Sequence, residues 1–126
     1  MPCGSETILL VEDEETVRVL ASRVLRGHGY TVIEAVNGLD ALHVVREESE
    51  LDIDLLLTDV VMPKMGGRIL VEQLSSLYPN LKVLFISGYT ERASIQSGSF
   101  ELQAPLLQKP FSPATLANKV REILDS

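Results

Sequence analysis

The sequence predicts a single α/β domain in which a parallel sheet carries helices on both faces. Three observations predict it. Short runs rich in Val, Ile and Leu alternate with longer segments whose apolar residues recur every three or four positions, the pattern of successive βα units. The run Asp54 to Thr58 holds three consecutive leucines, which suits a central strand covered on both faces better than a half-exposed hairpin. And 126 residues suffice for one core while leaving no room for a second domain.

Thr7 to Val11 is the first strand, and Val17, Leu20, Ala21, Val24 and Leu25 follow at helical spacing until Gly27 and Gly29 stop the helix. Thr31 to Ala35 is the second strand. A second helix starts after Asn37-Gly38 and carries Ala41, Leu42 and Val45, with a solvated charged tail from Arg46 to Glu50. Beyond the third strand, Asp54 to Thr58, a turn with Pro63, Gly66 and Gly67 leads into a helix bearing Ile69, Leu70, Leu74 and Leu77 that ends before Pro79. Lys82 to Ser87 is the fourth strand. Glu91 to Gly98 shows only weak periodicity through Ala93 and Ile95 and makes the least regular helix. Leu106 to Gln108 is a short fifth strand. The last helix opens at Ser112-Pro113, a capping residue followed by a first-turn proline, and buries Leu116, Val120, Ile123 and Leu124. Five strands and five helices, without repeats or linkers, form a core running from about residue 6 to residue 125.

Composition removes whole classes of function. Eighteen acidic residues against eleven basic ones give a formal charge of −7, so attraction to a phosphate backbone cannot organise this surface and nucleic-acid binding is disfavoured. No uncharged stretch exceeds nine residues, whereas a membrane helix needs about 20. The first residues carry neither a basic region nor an apolar run of signal-peptide length, and the lone Cys3 permits no internal disulfide. A cytoplasmic protein without direct membrane contact is expected.

In open parallel sheets, ligands bind beyond the carboxyl ends of the strands, near the point where strand order reverses. Glu12-Asp13-Glu14-Glu15 follows the first strand, where a dinucleotide or P-loop site would need a glycine-rich turn. Asp59 follows the third strand, Ser87 the fourth and Lys109-Pro110 the fifth. If the first strand neighbours the third, Asp13 and Asp59 approach within a few ångströms, and repulsion of about 4 kcal/mol at about 4 Å opposes their both being charged. Something positive has to sit there. Mg²⁺ answers that need, since it takes oxygen ligands from one or two carboxylates plus a phosphate and keeps several waters. No His or Cys cluster competes for a softer metal. In the flavodoxin-like order 2-1-3-4-5, with strands about 4.8 Å apart, Ser87 lies one strand from Asp59 and Lys109 two. A lysine stem spans most of that gap of about 10 Å.

Four segments carry a resemblance: Ile8-Leu9-Leu10-Val11-Glu12-Asp13-Glu14, Leu56-Leu57-Thr58-Asp59-Val60-Val61-Met62-Pro63, Phe85-Ile86-Ser87-Gly88-Tyr89-Thr90 and Gln108-Lys109-Pro110-Phe111. In order and spacing they resemble the receiver domain of two-component response regulators, closest in flavour to receivers of hybrid histidine kinases, over residues 6 to 125. The resemblance implies that Asp59 is the phosphoacceptor, attacking the phosphoryl group of a phosphohistidine on a histidine kinase or histidine phosphotransfer domain. It implies that Asp13, Asp59 and the Val61 backbone carbonyl coordinate Mg²⁺, with Glu12, where the family more often has Asp, acting through water. Lys109 neutralises the transferred group, and the Ser87 hydroxyl bonds a phosphoryl oxygen and draws in the following loop and the weak helix. Two departures are expected to matter. Leu106 stands where receivers usually place Tyr or Phe, which puts the aromatic read-out in doubt and confines the switch to Ser87–Thr90 and the weak helix. Val61 and Tyr89 offer no carboxylate or amide to orient an attacking water, so a long-lived phosphoryl group is expected.

Plainer readings stand beside these. Glu14 and Glu15 are read as favouring a helix N-terminus electrostatically and doing nothing else. His28 and His43 are surface or capping residues, and Phe85, Phe100 and Phe111 fill core or loop-base positions. The competing functions are a pseudo-receiver that binds a partner without phosphorylation, and a Mg²⁺-dependent phosphohydrolase of the haloacid-dehalogenase type. The second needs an Asp two residues beyond the nucleophile, where Val61 stands; the intact acidic pair and Lys109 oppose the first. The leading expectation is a signalling module rather than an enzyme acting on an outside substrate. No output domain is visible, and a weak homodimer is left open.

Overall fold

The computed structural model describes residues 4–47, 52–59, 67–87, 105–109 and 111–125. Five strands, β1 (Thr7–Val11), β2 (Thr31–Ala35), β3 (Leu55–Asp59), β4 (Lys82–Ser87) and β5 (Leu106–Gln108), form one sheet in the order β2-β1-β3-β4-β5. Every pairing is parallel, with Val11 opposite both Ala35 and Thr58, Asp59 opposite Ile86, and Ser87 opposite Gln108. Four helices are found among the described residues: α1 (Glu15–Gly27), α2 (Gly38–Glu47), α3 (Gly67–Leu77) and α4 (Pro113–Asp125). The helix predicted over 91–98 lies outside them, as do Val61, Tyr89 and Phe100.

Alternation along the central strands sorts the core into two layers. Ile8 and Leu10 of β1 and Leu55 and Leu57 of β3 pack with Ala21 and Leu25 of α1 and Leu116 and Val120 of α4. Leu9, Val11 and Leu56 face the other way, onto Ala41, Leu42 and Val45 of α2 and Leu70 and Leu74 of α3. Because β1 and β3 are apolar on both faces, they must lie inside the sheet with helices above and below. Burying a leucine of this kind contributes about 1.5–3 kcal/mol, so the two layers hold the strand ends firmly in place.

Local chemistry sets the boundaries. Ser112 caps α4 by accepting the Thr115 N–H at 3.1 Å, with Pro113 at the first helical position. Asn37 caps α2 by accepting the Asp40 N–H at 2.8 Å, while the Asp40 carboxylate accepts the Val36 N–H at 3.0 Å, a reciprocal arrangement. Gly29 has φ 96°, and a Cβ there would lie 2.5 Å from the Gly4 carbonyl oxygen, so this exit from α1 requires glycine. The third strand runs one residue later than its sequence suggests, from Leu55 to Asp59, although Asp54 just before it still pairs its backbone with both neighbours, its N–H donating to the Thr7 carbonyl at 2.9 Å and its carbonyl accepting the Lys82 N–H at 3.2 Å. Leu124 is half-buried at the edge of the first layer rather than inside it.

Candidate functional site

The carboxyl ends of β1, β3, β4 and β5 meet at one edge of the sheet. Glu12 directly follows β1, and its backbone is held from two sides: its N–H donates to the Ala35 carbonyl at 3.1 Å, and its own carbonyl accepts from the Arg18 guanidinium at 2.9 Å. Its side chain is fully buried, and Oε1 accepts the Glu14 N–H at 3.0 Å. Asp59, the last residue of β3, is 4% exposed. The Ser87 carbonyl at the end of β4 accepts the Lys109 N–H at 2.8 Å and so fixes the backbone from which the lysine side chain departs. From there the stem reaches back across the sheet edge, placing Nζ 3.2 Å from Asp59 Oδ1, 3.2 Å from Glu12 Oε2 and 3.1 Å from Glu14 Oε1.

Several acids therefore share one ammonium. Burial pushes the Asp59 carboxyl up to about 9, the adjacent Glu12 carboxylate adds to the rise, and Lys109 offsets only part of it. For Lys109 itself, burial disfavours the charge, but the facing Asp59 and Glu12 carboxylates outweigh it and hold the ammonium above the ordinary lysine range. One oxygen each from Glu12, Asp13 and Asp59 lie within 4.8 Å of one another. Octahedral Mg²⁺, with bonds of about 2.1 Å, holds cis oxygens about 3.0 Å and trans oxygens about 4.2 Å apart, so a spread of up to 4.8 Å is compatible with two direct ligands and a third reached through water. Two further observations suit a ligand at this edge: Ser87 Oγ is buried with no hydrogen-bond partner, and Glu12 Oε2, though in ion-pair contact with Lys109, accepts no directed hydrogen bond.

Comparison with known proteins identifies this arrangement. The family described as "Response regulator receiver domain" matches residues 8–121. The chain belongs to the response regulator receiver domain family. It is 43% identical over 122 residues to "Sensor kinase CckA" of Brucella abortus (strain 2308), covering 97% of this chain but only 13% of that kinase's length. "Sporulation initiation phosphotransferase F" of Bacillus subtilis (strain 168) is 33% identical over 121 residues, covering 95% of this chain and 94% of the relative. Among solved structures, the receiver domain from the hybrid histidine kinase CckA superposes with a TM-score of 0.75 at 36% identity, covering 94% of this chain and 98% of that one. A receiver is a phosphoacceptor module of two-component phosphorelay signalling, and that is the class of this domain.

In this receiver the structure gathers Glu12, Asp13, Asp59, Ser87 and Lys109 at one sheet edge, while Val61 lies outside the described residues. Two residues at the site escaped the sequence reading. Glu14 occupies the N-cap position of α1 without making a side-chain cap hydrogen bond, and its carboxylate binds Lys109 instead. Arg18, one helical turn on, props the Glu12 carbonyl and leans on Glu34 at 3.6 Å. A basic residue four positions after an acidic N-cap was the available signal for Arg18; for Glu14 the sequence held none beyond its place in an acidic run. Among the described residues, no helix is long and apolar enough to cross a membrane.

Proposed function

We propose that Asp59 is the phosphoacceptor of this domain and takes its phosphoryl group from a phosphohistidine on a histidine kinase or histidine phosphotransfer domain in the cytoplasm. Charge neutralisation by a bound cation and by Lys109 would keep Asp59 ionised despite its burial; its carboxylate oxygen then attacks phosphorus, the P–N bond to the imidazole breaks, and the imidazole leaves as the acyl phosphate forms. Asp13, Asp59 and the Val61 carbonyl would hold Mg²⁺ directly, and Glu12 through water. When bound, that cation supplies charge neutralisation for the loose transition state of phosphoryl transfer. Lys109 supplies the second positive charge, preorganised by the hydrogen bond its backbone N–H donates to the Ser87 carbonyl and by the acids around it. The Ser87 hydroxyl, buried and without a partner, is suited to bond a phosphoryl oxygen and so to pull the segment beyond β4 inward. In this way the domain assists its own phosphorylation and dephosphorylation without acting on an outside substrate.

The observation that carries this reading is the buried Asp59 carboxyl, 3.2 Å from an ammonium and with an oxygen within 4.8 Å of oxygens from two further acids. Incubation with Mg²⁺ and phosphoramidate, followed by intact mass measurement, tests it. A single adduct of about 80 Da that disappears in Asp59→Asn is the expected result. Turnover of many phosphomonoesters would favour the phosphohydrolase, and the absence of any adduct would favour the pseudo-receiver.

A further inference from the structure

We propose that Glu14 is a positioning residue that restrains Lys109, so that phosphorylation must exchange the Glu14 carboxylate for a phosphoryl oxygen at the ammonium. The proposal rests on reading Asp59 as the phosphoacceptor. An ammonium has three protons, and three acidic side chains take them here. The Glu14 contact, at 3.1 Å, is at least as short as those to Glu12 and Asp59, both 3.2 Å. The three partners differ in what leaving costs. The Glu12 side chain is 0% exposed and that of Asp59 6%, so either would be stranded without the lysine, whereas the Glu14 side chain is 61% exposed and can return to water.

Glu14 is also set apart by what it does not do. It stands at the N-cap of α1 yet makes no side-chain cap hydrogen bond, and it is not one of the three acids whose oxygens converge for a cation. Its main-chain N–H is committed to Glu12 Oε1 at 3.0 Å, which fixes the point from which its side chain reaches Lys109. A bound cation would engage Glu12, Asp13 and Asp59, leaving Glu14 as the carboxylate still competing for the ammonium. Its charge also opposes an incoming anionic donor at the mouth of an already acidic site. Both effects restrain phosphorylation, and both act through solvent-exposed charge, so salt should weaken them.

The test is the rate of acyl-phosphate formation against phosphoramidate concentration, at saturating Mg²⁺, in wild type, Glu14→Gln and Glu14→Asp. In this reaction the donor's P–N bond breaks, a P–O bond to Asp59 forms and ammonia leaves. Glu14→Gln, which keeps shape and removes charge, should lower the half-saturating donor concentration about two- to fivefold, with little change in the maximal rate. That advantage should shrink toward nothing between about 0.05 and about 0.5 M salt, and Glu14→Asp should stay near wild type. Equal or slower labelling of Glu14→Gln, or a gain indifferent to salt, overturns the proposal while leaving Asp59 as phosphoacceptor if Asp59→Asn still abolishes the adduct. Failure of the wild type itself to form an adduct overturns both.

Discussion

At Asp59, burial and the Glu12 carboxylate push the carboxyl up to about 9, from a value of 3.8 for an unperturbed side chain. Between those two values the folded protein keeps a proton that the unfolded chain has released. The folded state then binds more protons, so the unfolding free energy falls as pH rises through the window and is flat below it. In a chelating buffer, the urea midpoint of the wild type relative to Asp59→Asn should therefore decline from about pH 5 to about pH 8, with the variant ahead by about 1–2 kcal/mol at the upper end. A difference that does not change with pH would mean that the carboxyl ionises freely where it sits. The same residues show what a sequence can disclose. Glu12, Asp13, Asp59 and Lys109 are legible because each is an early polar residue at the end of an apolar run, and strand order converts that placement into proximity. Glu14 and Arg18 were not, because their contacts depend on the direction in which α1 leaves the sheet, a tertiary quantity with no local signature.

Among the elements, β2 is an edge strand, and its free side is managed by charge. The Thr31 N–H donates to the Glu6 carbonyl, so Thr31, Ile33 and Ala35 point their backbone groups toward β1 and those of Val32 and Glu34 point outward. The Arg26 guanidinium covers the outward Val32 carbonyl at 2.9 Å and lies 3.4 Å from Glu34. Unpaired strand edges template association with other chains. Arg26→Ala should leave the melting temperature nearly unchanged yet speed aggregation on mild heating, measured by light scattering; unchanged aggregation would mean that the edge is protected in some other way. A second tie joins the start of β1 to α4: the Arg121 guanidinium bonds Glu6 at 2.6 Å and Asp125 at 2.7 Å. The Arg121 hydrogen bond holds the Glu6 carboxyl below its ordinary value of 4.5. That stability is present above about pH 4.5 and lost on acidification, so Glu6→Gln should cost about 0.5 kcal/mol at neutral pH and nothing near about pH 3, by urea denaturation. The bounds of β1, β2, β4 and β5 were readable from apolar runs, and the Ser112 cap from its proline. The start of β3 was not, because Asp54 makes strand-like backbone bonds to Thr7 and Lys82 while standing just outside the strand, a boundary that no change in apolarity marks.

Over the whole molecule, apolar layers on both faces of the sheet fasten β1 and β3, and the acids Glu12, Asp13 and Asp59 are carried at the ends of those same strands. The fold thereby forces Glu12 and Asp59 into burial that neither would adopt alone, and Lys109 is a single ammonium among several acids. A divalent cation held by this acidic cluster would relieve that excess and should bind the folded state alone, since the unfolded chain does not bring the three acids together. Mass action then makes stability depend on its concentration, by about 2.7 kcal/mol at a hundredfold excess over Kd, which for a domain of this size raises Tm by about 8–12 °C. Protons compete for the same oxygens, so the gain from Mg²⁺ should be larger at about pH 8 than at about pH 5. Scanning calorimetry across a Mg²⁺ series should show this dependence in the wild type and a much reduced one in Asp13→Asn, which removes an exposed acid with little disturbance to the core. A Tm indifferent to Mg²⁺ at both pH values would show that Lys109 alone satisfies the acidic edge, and that the cluster is a structural ion-pair network rather than a cation site.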